Sequence, residues 1–279
     1  MKYIEAVHQF YHLQGVATDG RYMYWSFTDS LVQTSLQGTV LRQVRVHGGH
    51  LGDITCHNGR IYGSLVGNSL AGKPWGVWTS FAVHVWDAET LAFLDIIRLD
   101  RCYADYQNRY CGFNGIDGIT FGTDPDTGEE VLLTACALFT DPAYARQMIL
   151  QFSPDGQPQK EHFIETGNTV FGIQNLAREP DTGNYWFTTY ESSEPYQPKD
   201  RLYCVAPDLH TILASYPFSS PYGFICRGGG RFYATLQAGR NGDRSGYVYE
   251  ADAACFARGG TEDELTHKIR AAFDPVMGL

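Results

Sequence analysis

The chain has 279 residues, 43% hydrophobic, 14% aromatic and 19% charged, with a formal net charge of −10. That is apolar enough to bury a core, which excludes wholesale disorder. It is too acidic for a nucleic-acid binder, because a phosphate backbone demands a Lys/Arg stripe that the sequence lacks.

Met1–Gln14 has neither a basic start nor a long apolar run, so no export signal is expected and the localisation reads as cytoplasmic. No apolar run approaches the roughly 20 residues that span a bilayer, so no membrane partner is expected. The seven cysteines are irregularly spaced with no C-x-x-C, which fits buried thiols in a reducing compartment. Cys102 and Cys111, which bracket a Tyr-rich loop, are the one pair to check for a disulfide.

Five segments repeat one pattern: a mouth residue, an apolar strand, a Gly-bearing turn and an aromatic or β-branched return strand. They are Gln14–Phe27, Gly52–Leu65, Asp117–Ala135, Gln174–Tyr190 and Tyr222–Leu236. Asp19-Gly20, Asn58-Gly59 and Gly228–Gly230 supply the positive φ of tight hairpins. Pro-Asp-Thr-Gly occurs at the same place in two repeats, 125–128 and 180–183. Each repeat continues into two further strand-like pieces, such as Ala82–Trp86 with Ala92–Leu99, and Leu202–Ala206 with Ile212–Phe218. Four antiparallel strands per unit, repeated radially, build a β-propeller.

The fold expectation is therefore all-β: one domain over 1–279, a five-bladed β-propeller of four-stranded blades. Residues 4–18 resemble 41–55, so the N-terminus reads as an outer strand with no blade in front of it. Lys2–His8 is expected to pair beside Ser245–Glu250 and close the ring. At 261–273, Thr261 and Glu264 form a capping box ahead of Leu265, Ile269 and Phe273, which predicts a short C-terminal helix.

In a propeller the start of each inner strand and the loop between second and third strands lie at one face. Candidate ligand-binding residues at this mouth are His12, Gln14, His47, Asn114, Gln174, Asn175, Tyr222, Trp75 and Trp78; the aromatic residues among them suit stacking on a sugar or other planar ligand. Candidate catalytic residues are Asp53, Asp117, Glu191 and His50. Three carboxylates from successive blades suit glycoside hydrolysis, which needs one protonated acid and one carboxylate as base or nucleophile. Asp117 and Asp53 form the expected acid–base pair, Glu191 the third carboxylate, and His50 a partner for substrate or proton. The bland alternative has Asp53 and Asp117 capping backbone N–H groups between blades. His47, His50 and Asp53 also form an H-x-x-H-x-x-D spacing, which offers a divalent-metal alternative; the expectation is no cofactor. The opposite face collects short Gly turns with little chemistry.

Over nearly its whole length the chain resembles a five-bladed β-propeller, and the arabinanase and invertase type of glycosidase shares that ring. Their Asp–Asp–Glu set in a central funnel is similar in kind to Asp53, Asp117 and Glu191, although here the order begins one blade later and no family motif surrounds it. The resemblance implies an enzyme acting on a saccharide or polyol-like ligand in the funnel, a glycoside hydrolase in kind. The alternatives are a non-catalytic ligand-binding or scaffolding propeller, and a histidine- or metal-assisted lyase or hydrolase.

Overall fold

In a computed structural model of the chain, residues 3–9, 12–67, 80–99, 113–138, 146–166, 172–189, 201–218, 222–240 and 243–252 are described. They form five four-stranded antiparallel sheets, the blades of a propeller. The outer strand of the last blade comes first in the chain, β1 (Tyr3–Gln9). The first blade is β2 (Leu13–Thr18), β3 (Tyr22–Phe27), β4 (Ser30–Ser35) and β5 (Val40–Arg45), from axis to rim. The second is β6 (Gly49–His57), β7 (Arg60–Gly67), β8 (Phe81–Asp87) and β9 (Phe93–Arg98). The third is β10 (Phe113–Thr123), β11 (Glu130–Leu138), β12 (Gln147–Phe152) and β13 (Pro158–Ile164). The fourth is β14 (Ile173–Arg178), β15 (Tyr185–Thr189), β16 (Arg201–Val205) and β17 (Ile212–Pro217). The fifth is β18 (Phe224–Gly228), β19 (Arg231–Arg240), β20 (Asp243–Asp252) and β1.

The ring closes as the repeat predicts: β1 pairs antiparallel with β20, from Tyr3 opposite Tyr249 to Gln9 opposite Arg244. The inner strands touch in the cyclic order β2, β6, β10, β14, β18 and back to β2. Joining the first strand to the last blade pairs an edge of β20 that would otherwise be a template for aggregation.

The turns follow from local chemistry. Between β6 and β7, Asn58 and Gly59 both have positive φ, 47° and 72°, as a two-residue hairpin loop requires. The two Pro-Asp-Thr-Gly turns are built alike, with Gly128 N donating to Asp124 O and Gly183 N to Glu179 O.

Apolar residues are buried between blades. One cluster joins the first and second blades through Tyr24, Leu31, Leu51, Ile61 and Trp86. Another joins the second and third through Val83, Val85, Ile119, Leu132 and Phe152. Equivalent clusters follow around the ring, ending where Leu13, Trp25 and Phe27 meet Tyr222 and Val248. Each such side chain contributes about 1.5–3 kcal/mol by leaving water, so closure and core formation are one event.

No helix among the described residues is long and apolar enough to cross a membrane. The expected helix at 261–273 and the Cys102–Cys111 pair lie outside the described residues.

Candidate functional site

The inner strands leave their ladders at equivalent places. Register breaks between Leu13 and Gly15 in β2, Leu51 and Ile54 in β6, Ile116 and Ile119 in β10, and Ile173 and Asn175 in β14. The residues that fall in the breaks are Gln14, Gly52 with Asp53, Asp117 with Gly118, and Gln174. In the fifth blade Tyr222 and Gly223 precede β18, and Thr235 N donates to Gly223 O at 3.1 Å. A bulge turns a side chain out of the alternation of its strand. Here the break in β6 frees Asp53 to reach the third and fourth blades.

One column of the repeat then plugs the axis: Gly15, Asp53, Gly118, Asn175 and Gly223. Three blades contribute no side chain, and the other two fill the space. Asp53 Oδ2 accepts from Leu176 N at 3.0 Å and Ile119 N at 3.2 Å, reaching the fourth and third blades from the second. Asn175 Nδ2 donates to Gln14 O at 3.3 Å, joining the fourth blade to the first. A Cβ on Gly15 would lie 2.5 Å from Asp53 Oδ1 and 2.8 Å from its Cα, so only glycine admits the carboxylate. Asp53 keeps 3% of its surface exposed. It caps backbone donors between blades, and the expected pairing of two free carboxylates across an open pocket is corrected accordingly.

Asp117 differs. Its Oδ1 accepts from Asp53 N at 3.2 Å, yet the residue is half-buried and keeps some surface open. Burial raises both carboxyls above the usual range, Asp117 to about 8. The backbone N–H groups on Asp53 act the other way and favour its ionised form.

On the mouth side of the plug, the rings of His12 and His50 meet edge to face with centroids 6.2 Å apart. Gln14 Nε2 lies 3.0 Å from the His12 ring and donates to Thr28 Oγ1 at 3.2 Å. Gln237 Oε1 accepts from Leu13 N at 2.9 Å, tying the fifth blade to the first. Burial and the neighbouring His12 push His50 down to about 3, so its imidazole is neutral at physiological pH. It is then a hydrogen-bonding group rather than a proton carrier near pH 7, which narrows the role expected for it. Tyr222 is buried in the apolar cluster at the first–fifth blade junction, and Gln174 is half-buried at its bulge.

His47 is exposed, and among the described residues no three His, Cys, Asp or Glu side chains gather as a metal-holding group. Glu191, Trp75 and Trp78 lie outside the described residues, as does the side chain of Asn114, whose backbone is part of β10.

Two features went unread in the sequence. A hydroxyl recurs in the second strand of four blades, at Ser26, Ser64, Thr188 and Thr235, with Ala135 in the third. Ser26 donates to Gly52 O at 2.7 Å, Ser64 to Asp117 O, Thr188 to Asn175 Oδ1 at 2.5 Å and Thr235 to Gly223 O at 3.2 Å. These hydroxyls satisfy polar groups that the bulges and the plug leave inside. The signal was present as Ser or Thr near the end of YMYWSF, RIYGSL, YWFTT and RFYATL. The second feature corrects the picture of an opposite face poor in chemistry. Below the plug, Val16, Ile54, Leu176 and Phe224 floor a cavity of about 240 Å³ rimmed by Thr18, Thr55, His57 and Arg178.

No family model and no curated protein matches this chain. Among solved structures it is similar to a glutaminyl cyclase from Myxococcus xanthus, with a TM-score of 0.53 and 15% identity over 89% of this chain and 95% of that one. It is also similar to a xylan β-1,4-xylosidase from Bacillus halodurans C-125, with a TM-score of 0.55 and 12% identity over 86% of this chain and 53% of that one. A GH43 β-1,3-galactosidase gives a TM-score of 0.53 and 11% identity over 87% of this chain and 60% of that one. At such identities the shared property is the fold.

Proposed function

We propose that the mouth-side chamber is the active site of an enzyme acting on a small uncharged, hydroxyl-rich molecule, a saccharide or polyol, with Asp117 as general acid. The observation that carries this reading is the Asp117 carboxyl, raised to about 8 while part of the residue stays open. Its bulge lies near the mouth end of β10, and Asp117 is not among the residues lining the cavity below the plug. A carboxylic acid that keeps its proton at pH 7 is what protonation of a glycosidic oxygen needs. Neutral His50, the His12 ring and the Gln14 amide would meet hydroxyl groups as hydrogen-bonding partners. Asp53 then acts as a positioning residue, since its main-chain N–H fixes the Asp117 carboxyl. Glu191 is the remaining candidate for base or nucleophile. Two of the structures that share the ring carry glycosidase names, which agrees with this reading.

A binding propeller without turnover is the second reading, favoured by the engagement of Asp53 in backbone capping. The test is a glycoside and metabolite panel on the wild type, Asp117→Asn and Glu191→Gln. Asparagine can still accept from Asp53 N, so the fold should survive and turnover should fall by about 10²-fold or more. Turnover that persists in Asp117→Asn contradicts the mechanism. Saturable binding with no turnover in any sample moves the assignment to the binding module.

A further inference from the structure

The Pro-Asp-Thr-Gly turns of the third and fourth blades build a second concavity, on the face away from the mouth. A cleft of about 330 Å³ opens there beside the axial cavity, and Arg178 and Pro180 line both. Its walls include Thr123, Pro125, Arg178, Pro180, Tyr185 and Pro207. Arg178 is half-buried at the end of β14, with its guanidinium against the Tyr185 hydroxyl. Gly183, whose φ of 74° favours glycine, brings its turn within van der Waals reach of Arg178 Nη2.

The nearby carboxylates are engaged elsewhere. Glu179 accepts from the Thr182 hydroxyl at 2.8 Å and the Trp186 indole at 3.3 Å. Asp181, which lines the cleft itself, accepts from Gly229 N, and Asp124 holds Lys160 at 2.8 Å. Among the described residues Arg178 has no ion pair, although the chain carries a net charge of −10. A half-buried guanidinium with no carboxylate on it is a carboxylate receptor, because the planar fork matches two carboxylate oxygens. The proline rings beside it offer apolar surface.

We propose that this cleft is a second ligand site, which takes a small organic carboxylate with its acid group on Arg178 and its apolar body against Pro125, Pro180 and Pro207. The site is independent of the mouth chamber. The test titrates the full chain with benzoate by calorimetry, and with inorganic phosphate in parallel. Benzoate should bind saturably at one site, about tenfold or more weaker in Arg178→Gln. It should bind unchanged in Arg21→Gln, whose guanidinium is exposed on another blade. Phosphate binding as tight as benzoate would overturn the apolar part of the assignment. Equal benzoate affinity in Arg178→Gln, or no saturable binding in the wild type, would overturn the whole. Should Arg178→Gln not fold, amide shifts in the wild type decide: benzoate must move Thr123, Gly183 and Tyr185, and shifts confined elsewhere contradict the site.

Discussion

Asp53 Oδ2 accepts from Leu176 N at 3.0 Å, a bond from the second blade to the fourth that passes through the ring axis. Blades two apart do not share a packing face, so this bond and the Asn175–Gln14 bond hold the inner strands to one another directly.

Asp53→Ala should therefore destabilise the protein severely. It leaves the Leu176 and Ile119 N–H groups buried without an acceptor, which costs about 2–5 kcal/mol in all. Asp53→Asn keeps an acceptor and should lose less. Urea unfolding measures both, and an Ala variant within about 0.5 kcal/mol of wild type would mean that the axial bonds carry no weight.

Gly52→Ala separates positioning from folding. A Cβ there would overlap Asp117 Oδ1 and lie 2.7 Å from Ser64 Oγ, so the carboxyl must turn away. The strain should cost about 1–3 kcal/mol. Mouth-side ligand binding or turnover should fall further than that loss explains. Activity equal to wild type in a folded Gly52→Ala protein would remove Asp117 from the site.

Much of the ring was legible because its signals are local or repeated. Asn58-Gly59 dictates a hairpin by itself, and the likeness of residues 4–18 to 41–55 marks β1 as the closing strand. The plug was not legible. Asp53 occupies a column shared with Gly15, Gly118 and Gly223, but a carboxylate among glycines reads equally as a catalytic group or as a filler. Only the approach of Leu176 N and Ile119 N decides, and those contacts join residues more than sixty positions apart. The bulges have no composition of their own, and they give Asp117 its half-open setting.

Removing residues 1–9 should strip β1 from β20 and expose a long strand edge. The expected outcome is a lower unfolding midpoint and concentration-dependent association, followed by light scattering. A truncated chain that stays monomeric with unchanged stability would show that closure does not depend on this strand.

Stability should carry the signs of the buried groups. Asp117 binds its proton up to about pH 8 in the folded state against 3.8 for an ordinary aspartate, so its contribution is whole below about 4 and is lost as pH rises through 8. Asp53 acts in the same direction. His50 is opposite: its value falls from 6.5 to about 3, so its contribution is present above 6.5 and lost as pH drops toward 3. Above about pH 7.5 the imidazole is essentially neutral in both states, so its opposing contribution has levelled off and the carboxyls set the slope up to 8. The urea midpoint should fall across that window, less so in Asp117→Asn. A rise in the wild type would contradict the raised carboxyl.

The central claim is that Asp117 holds a proton at neutral pH beside the mouth chamber. Carboxyl carbon NMR of aspartate-labelled protein, titrated from acid to base, tests it without knowledge of the substrate. The account predicts one resonance that titrates near 8, far above the ordinary value of 3.8, and that is absent from Asp117→Asn. Side-chain carboxyls that all titrate below about 5 would contradict it.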